Sequence, residues 1–419
     1  MKNLALHWKI LIGMALGVGF GLIMANFEFG KGFISDWIKP FGTIFINSLK
    51  LIAIPLILAS LIKGISDLKD ITKLSRMGGA TIAIYMITTL IAVSIGLIVV
   101  NVIKPGNSIS EETRVELINA YESDADQKRA VAEDTKNSGP LQALIDVVPS
   151  NIVSAASDNK NMLQVIFFSI LFGIAMILIP EKKSRPIKDF FDSFNDVILK
   201  IIDLIMLCAP YGVFALLATL IVEAPKWDLL KSLLLYSLTL VLGLAILIVL
   251  YIVIVKIFTG KSPNFFLKGI LPAQLVAFST SSSAATLPVT MDRVHNHLGV
   301  KEEVSSFVLP IGATINMDGT ALYQAIAAVF IAQTFGLDLS LGAQLGIILT
   351  ATLASIGAAA VPSAGIIVLV IVLSQAGIPE AGLALIFAVD RPLDMCRTVV
   401  NISGDATVSM LVNKLIKKK

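Results

Sequence analysis

The sequence predicts an all-α membrane protein with eight transmembrane helices and two oppositely oriented hairpins that enter and leave the membrane on the same side. Three observations lead to this fold class. Hydrophobic residues make up 56% of the 419-residue chain and charged residues only 15%, whereas soluble domains average roughly 25% charged. The mean hydropathy is +0.84. Long apolar runs recur along the chain, and two stretches of small residues interrupt the apolar pattern in its last third.

Six apolar runs are long enough to cross the roughly 30 Å hydrocarbon core of a bilayer as helices. They begin near Ile10, Phe41, Ala80, Leu163, Val197 and Leu233. Clusters of Lys and Arg follow the second, fourth and sixth runs, and the chain ends in three lysines. Because basic loops stay on the cytoplasmic side, we expect both termini to be cytoplasmic, the number of crossings to be even, and the location to be the plasma (inner) membrane.

A polar connection covers about residues 105–145 and is rich in Glu and Asp. The alternation of the loops places it on the external side, and its composition is typical of a partly disordered or hairpin insertion. We do not expect it to carry chemistry.

The two interruptions lie at residues 279–285, which are mostly serine, and at residues 355–365, which combine glycine, alanine and one proline. The first lies between arms that both approach the cytoplasm, and the second between arms that both approach the outside. Paired interrupted segments of opposite orientation indicate a transporter binding site. Kinked helices packed through small residues are the alternative.

Between the hairpins, residues 312–320 break an apolar run with glycines, an amide and a carboxylate. Such a segment unwinds readily, and its carbonyl oxygens, together with Asn316 and Asp318, form a set of hard oxygen ligands suited to an alkali cation. The alternative is that Asp318 is a buried acid held by hydrogen bonds.

Several charges interrupt the last apolar run. Asp390, Asp394, Arg397, Asn401 and Asp405 fall within about 80° of one another on a helix. A charge at the bilayer centre costs roughly 2.5 to 3.5 kcal/mol on insertion scales, so this stripe marks a substrate or ion path. A mutually neutralised structural ion network is the alternative.

Other classes of function find little support. The net charge of +3 does not indicate a nucleic-acid partner. Cys208 and Cys396 lie in separate apolar runs and are expected to be packing residues. No serine and histidine pattern points to an enzyme, because His7, His295 and His297 all lie at expected cytoplasmic ends.

The serine-rich hairpin, the string NMDGT, the proline-containing hairpin and the string DMCRTVVNISGD follow one another in the order seen in the glutamate transporter family, the dicarboxylate/amino acid:cation symporters, which the chain resembles. The resemblance implies a glutamate-transporter-like fold and a homotrimer in the lipid bilayer. Residues 1–262 would form mainly a scaffold, with the third and sixth spans contributing to the transport domain. Residues 263–419 would form the transport core, which moves like an elevator.

By the same resemblance, the substrate is an acidic amino acid, L-aspartate or L-glutamate. Arg397 would bind its side-chain carboxylate and Asp394 its amino group, as expected of a guanidinium fork and a buried carboxylate. The remaining substrate-binding residues would be Ser281, Ser282, Ser283, Thr320, Val361, Pro362, Gly365, Thr398 and Asn401.

The resemblance also implies two to three sodium ions and no organic cofactor. One sodium site would use Asp405, Asn316, Asn401 and Gly312. A second would use carbonyl groups of Thr314, Met317, Ser355, Ile356 and Ala358. A third would use Asp318, Thr88, Thr89, Asn316 and Tyr85.

The chain departs from relatives within the family in two respects. Some archaeal aspartate transporters have an arginine where this chain has Ser281, and here an extra arginine, Arg391, precedes Asp394. We expect Arg391 to contact Asp394 or a hairpin carbonyl; extension to the external interface is the alternative. Gln324 stands where proton-coupled mammalian carriers have a glutamate, which favours a sodium-only cycle. Asp390 is expected to support Asp318 or a neighbouring helix.

Other functions remain as alternatives within this family. A proton-coupled symporter, a C4-dicarboxylate or neutral amino acid symporter, and an uncoupled anion channel all share the layout. Asp394 and Arg397 favour an acidic amino acid over the other substrates.

Overall fold

A computed structural model describes residues 6–66, 75–120, 148–157, 161–223, 227–356 and 364–417. Within these ranges the chain is helical and contains no β-strand. All six predicted apolar runs lie in helices, so the all-α prediction is confirmed for the part of the chain that the structure describes.

The first helices of the chain pack mainly on one another: α1 lies against α9, and α3 contacts α7, α8 and α9. Short helices α2, α5 and α6 connect the longer ones. The bounds are α1 Leu6–Met24, α2 Gly30–Phe33, α3 Lys39–Ser66, α4 Ser75–Ile103, α5 Glu111–Ala120, α6 Ile152–Ala156, α7 Met162–Leu178, α8 Glu181–Leu207 and α9 Ala209–Glu223.

The later helices form a second group around the last and longest helix, α17, which contacts α10, α11, α13 and α14. Helix α4, from the first part of the chain, joins this group by packing along α14. The bounds are α10 Trp227–Thr259, α11 Pro263–Thr280, α12 Ser283–Asp292, α13 Glu302–Ile315, α14 Asp318–Thr334, α15 Leu341–Ile356, α16 Ala364–Gln375 and α17 Leu383–Lys417.

Three helical stretches among the described residues are long and apolar enough to cross a membrane: Met77–Ser108, Leu230–Thr259 and Glu302–Thr334. A fourth results if α8 and α9, which are bent by 51° at their junction, count as one span. The eight crossings expected from the sequence therefore stay a prediction.

Three details differ from the sequence-based expectations. The fifth apolar run, near Val197, is divided between α8 and α9 rather than forming one straight helix; the chain bends near Pro210, which cannot donate a helical hydrogen bond. The basic residues after the fourth run lie in the first turns of α8, not in a loop. Part of the predicted external insertion is helical, as a 3₁₀ turn at Pro105–Ser108 and as α5.

Candidate functional site

The predicted break in the apolar run of residues 304–333 is confirmed. Helix α13 ends at Ile315 and α14 begins at Asp318, while Asn316 (φ −97°, ψ 93°) and Met317 (φ −117°, ψ 50°) have left helical geometry. The last carbonyl groups of α13 consequently lack the amides that a continuing helix would supply. Asn316 and Asp318 are fully buried, so the break places polar groups in the protein interior.

Helix α17 carries the predicted polar stripe on a buried face. Arg397 is 0% exposed, and it donates from Nη1 to Asp390 Oδ1 at 2.9 Å and from Nη2 to Asp394 Oδ1 at 2.7 Å. Arg391 donates from Nη1 to Asp394 Oδ2 at 3.2 Å. Two arginines and two aspartates thus alternate in one chain of ion pairs, as buried charges require.

The contact between Arg391 and Asp394 is one of those expected from the sequence. The Arg391 side chain is only 12% exposed, so the alternative of extension to the interface does not describe its position. Of the two expectations for Asp390, no bond to Asp318 is found among the described residues, but the contact with a neighbouring helix is. The Asp390 carboxylate binds Arg397 seven residues away on its own helix and lies near the Tyr323 side chain of α14.

The Arg397 guanidinium lies over the ring of Tyr323 in α14, with Cζ 3.7 Å from the ring centroid. Such a contact between a cation and an aromatic face is strongest where water is excluded. On another side, Arg397 Nη2 lies 3.4 Å from the position that a Cβ on Gly365 would take, and Thr320 is equally close to that position. Gly365, Thr320 and Arg397 are therefore brought together as predicted.

Asn401 joins α17 to the start of α14. Its Oδ1 accepts a hydrogen bond from the Gly319 amide at 2.8 Å, and its Nδ2 lies 3.4 Å from both Met317 Sδ and Thr320 Oγ1. Thr398 is buried and bonds through its hydroxyl to the Asp394 carbonyl on its own helix. The substrate residues predicted on α14 and α17 thus form one contiguous group.

One turn further along α17, Asp405 faces the helix break. Its Oδ1 accepts a hydrogen bond from Asn316 Nδ2 at 2.9 Å. Asn316 Oδ1 is buried without a hydrogen-bond partner among the described residues. Gly312 lies so close that a Cβ there would overlap both the Tyr85 hydroxyl and the Asp405 carboxylate, so only glycine allows this approach.

Asp318 is bound from two other helices. Thr89 of α4 donates to Oδ1 and Tyr251 of α10 donates to Oδ2, both at 2.6 Å. Tyr85, which lies one turn before Thr89, donates its hydroxyl to the Val308 carbonyl at 3.1 Å, and Thr88 bonds to the Tyr85 carbonyl at 3.0 Å. The two threonines of the string YMITT therefore interact with Asp318, whereas the Tyr85 hydroxyl does not, and the sodium site expected here stays a prediction.

The chain turns between α11 and α12 at Ser281, whose φ of 52° is left-handed, and at the extended Ser282. The Ser282 hydroxyl caps α12 by accepting from the Ala285 amide at 3.2 Å. Ser281 Oγ is buried without a partner among the described residues. Together with buried Ser283, these serines form the turn between α11 and α12, and the re-entrant hairpin expected here stays a prediction.

The remaining predicted residues are less informative. Thr314 is exposed and bonds within α13, Ser355 is buried and bonds to the Thr352 carbonyl, and Ile356 is half-buried. Both amide atoms of Gln324 are buried without a partner among the described residues. Three predicted residues lie outside the described residues: Ala358, Val361 and Pro362.

Two tyrosines that the sequence did not single out complete the site: Tyr251 binds Asp318, and Tyr323 lies under Arg397. Both occur in apolar helices, where a tyrosine is more often a packing residue. No spacing or motif in the sequence distinguishes them from other buried tyrosines.

A family model described as "Sodium:dicarboxylate symporter family" matches residues 6–415. The chain is 33% identical over 417 residues to a proton/sodium-glutamate symport protein of Geobacillus stearothermophilus, covering 99% of this chain and 95% of that protein. It is 39% identical over 460 residues to human excitatory amino acid transporter 3, covering 100% and 87%. It is 34% identical over 424 residues to the proton/glutamate-aspartate symporter of Escherichia coli K12, covering 99% and 94%.

Proposed function

Because the chain belongs to the sodium:dicarboxylate symporter family, we propose that it is a sodium-coupled secondary transporter that imports an acidic amino acid, L-aspartate or L-glutamate. The observation that carries the proposal is the buried chain of charges on α17, in which Arg397 is 0% exposed and lies beside Thr320 and Gly365. Three relatives are named for glutamate or for excitatory amino acid transport.

The substrate would replace protein carboxylates at Arg397. Its guanidinium fork is held by Asp390 and Asp394, and a planar fork of this kind binds a substrate carboxylate through two parallel hydrogen bonds. Asp394 would then accept the substrate ammonium. Thr320, Thr398, Asn401, Gly365 and the serine turn of α11–α12 would surround the remaining polar atoms.

The coupling ions would bind at the helix break. Asn316 Oδ1, which has no hydrogen-bond partner in the part of the chain that the structure describes, lies beside the Asp405 carboxylate and fits the hard oxygen ligands that such a cation prefers. Asn401 and the Gly312 carbonyl would complete the set. Asp318 with Thr88, Thr89, Tyr85 and Asn316 would hold another sodium. A further one would use carbonyl groups of Thr314, Met317, Ser355, Ile356 and Ala358.

Ion binding and substrate binding would be coupled because the proposed ion site and the proposed substrate site share residues. Asn401 contacts both Thr320, on the substrate side, and the Gly319 amide at the break. An ion that orders the break therefore also orders the substrate pocket, and each ligand raises the affinity of the other. Gln324 cannot carry a proton as a carboxyl group would, which supports sodium as the coupling ion.

The architecture is proposed on the same basis. Hairpins α11–α12 and α15–α16 would be re-entrant from opposite sides, with eight further helices crossing the inner membrane and both termini in the cytoplasm. Residues 1–262 would form mainly the scaffold of a homotrimer. Residues 263–419, with α4 and α10, would move as the transport unit; the packing of α4 on α14 and of α10 on α17 supports this assignment.

Uptake of labelled L-aspartate and L-glutamate into proteoliposomes tests the proposal. We expect uptake driven by an inward sodium gradient and no uptake driven by a proton gradient without sodium. Arg397→Ala should lose at least about 100-fold in transport, since it removes a charge-assisted bidentate contact. Arg185→Ala, at an exposed position of α8, is the control. Unchanged transport in Arg397→Ala would contradict the proposal, and ion flux not tied to substrate would indicate a channel.

A further inference from the structure

The chain passes from α10 to α11 through a basic corner, residues 256–268, in which every charged side chain is positive. Lys256, Lys261 and Lys268 are exposed there, and none of them forms an ion pair with another described residue. No aspartate or glutamate occurs in the sequence between Asp228 and Asp292. The positive charge of the basic corner is therefore not neutralised by the neighbouring sequence.

The basic corner lies where a membrane-spanning stretch ends, because Leu230–Thr259 is long and apolar enough to cross a bilayer. Lysines at such a position orient a span during insertion, but that role does not require ordered side chains in the folded protein. Lys261 Nζ is nevertheless held 4.8 Å from the centroid of the Phe265 ring, as in a cation–π contact. Ser262 caps α11 by accepting a hydrogen bond from the Phe265 amide at 3.2 Å, so the positive end of the α11 dipole adds to the lysines.

Helix α11 has two apolar faces, and the helix packs mainly on α17, α12 and α10. The covered face is fully buried and consists of Phe266, Ile270, Ala273 and Ala277. The outward face is 37–63% exposed and consists of Leu267, Leu271, Leu275 and Phe278. Lys268 lies on the outward side as well, within about 20° of Leu275 on a helix. A strip of exposed apolar side chains thus runs along α11 away from the basic corner.

We propose that the basic corner and the outward face of α11 bind an anionic phospholipid. Lys261 and Lys268 contact the headgroup phosphate, and an acyl chain lies along Leu271 and Leu275. Lysines near a membrane surface attract anionic headgroups, whereas a zwitterionic headgroup brings a cation of its own and gains less. A helix of another protein fits the apolar face but leaves the lysines unneutralised unless it also brings acidic residues. This site lies apart from the proposed substrate and sodium sites and does not depend on what the protein transports, although α11 leads to Ser281.

Fluorescence quenching by lipids with brominated acyl chains tests this site in the full-length protein, reconstituted in nanodiscs of dioleoyl phosphatidylcholine. The reporter chain carries Leu271→Trp, and its three tryptophans are changed to phenylalanine. We expect brominated phosphatidylglycerol to reach half-maximal quenching at a mole fraction about fivefold lower than brominated phosphatidylcholine, because the lysines favour the anionic headgroup. Lys261→Gln/Lys268→Gln should reduce this preference to less than about twofold, since neutral side chains do not attract the phosphate.

Two controls separate a site on α11 from a general attraction to the basic surface. Lys182→Gln/Lys183→Gln removes two exposed lysines of α8 and should leave the preference for phosphatidylglycerol unchanged. A reporter at Leu242→Trp on α10, where the leucine is 47% exposed against 49% for Leu271, should show a preference of less than about twofold, because no lysine lies nearby along its helix.

If the double lysine variant does not insert into the membrane, Lys268→Gln alone decides, since it keeps the other lysines of the basic corner; its preference should fall by at least about half. Equal quenching by the two lipids in the reporter chain overturns the inference, and so does a preference that survives the loss of these lysines. Absence of quenching by either lipid shows that protein covers the outward face of α11 and overturns it as well.

Discussion

Helix α10 and the interrupted helix α13–α14 are both long enough to cross a bilayer, yet they differ in burial in an unexpected direction. In the most apolar stretch of α10, 39% of the residues are buried, whereas in that of α13–α14 all of them are. The helix that carries Asn316, Asp318 and Gln324 is the buried one, and the helix rich in leucine and valine is half exposed.

The difference in burial shows that, in lipid, the helix that is buried in the core is chosen by other side chains than in water. In water, apolar side chains leave the solvent, but lipid is as apolar as leucine and gives no such driving force. Polar groups instead avoid lipid and collect inside the helix bundle, where they find one another. A helix that carries several polar side chains at membrane depth is accordingly surrounded by other helices, and the more apolar helix faces the outside over much of its surface.

We expect the largest difference between α14 and α10 in the loss of stability that follows when a leucine is changed to alanine. Leu322 of α14 is 0% exposed and contacts α4 and α10 near Gly96 and Gly243, whereas Leu238 of α10 is 57% exposed. We expect Leu322→Ala to lower the free energy of unfolding by about 2–5 kcal/mol through the cavity it leaves. Leu238→Ala should stay within about 0.5 kcal/mol. Thermal unfolding in detergent measures both, and equal shifts would remove the basis of the comparison.

The second-largest effect is expected from removing the carboxylate of Asp318, and it concerns the affinity for sodium. Asp318→Asn keeps the shape of the side chain but removes the charge that is proposed to face a sodium ion. We expect sodium affinity to fall at least about 100-fold, or about 2.7 kcal/mol, in a sodium titration of aspartate binding. Asp338→Asn, at an exposed position just beyond the end of α14, is the matched control. A normal titration in Asp318→Asn would assign this acid a purely structural role.

A smaller effect is expected from removing the hydroxyl of one of the two buried tyrosines of α10, which serve as a matched pair. Tyr251 donates to Asp318 at 2.6 Å, while the Tyr236 hydroxyl has no partner among the described residues. Tyr251→Phe should weaken sodium binding about tenfold, since it removes a hydrogen bond to a charged group. Tyr236→Phe should change it less than about twofold. Similar effects of the two changes would mean that ring packing, not the hydroxyl, supports the site.

The smallest expected effect concerns glycines of α4, the helix that packs along α14. A Cβ on Gly96 would lie 2.8 Å from the Leu322 carbonyl oxygen, whereas one on Gly79 would meet no atom within 4 Å. Gly79→Ala should stabilise the protein by up to about 1 kcal/mol through helix propensity. Gly96→Ala should destabilise it because α4 must move away from α14. A gain in stability at both positions would show that α4 does not pack closely on α14.

The sequence was sufficient for the features that depend on local composition. A carboxylate and an amide among glycines predict the break at Asn316 and Met317, and charges at helical spacing predict the buried stripe of α17, because each pattern has one low-energy arrangement in a membrane. Both predictions agree with the structure.

Features that depend on pairing between distant segments were not predictable. The partner of Asp318 in α10 is 67 residues away, and nothing in its neighbourhood distinguishes Tyr251 from the packing tyrosine Tyr236. Asp390 was expected to support Asp318 or a neighbouring helix; it interacts with Tyr323 of α14, but its strongest partner is Arg397, two turns along its own helix. The bend between α8 and α9 was missed because apolar composition continues across it.

The order of these partners along the chain has a consequence for biosynthesis. Thr89 and Tyr251 leave the ribosome before Asp318, and Asn316 before Asp405, so each buried acid emerges when the groups that bind it have already been made. Asp390, Arg391, Asp394 and Arg397 need no earlier segment, because they emerge together and pair along one helix. The last helix of the protein can thus be delivered to the membrane with its ion pairs already complete.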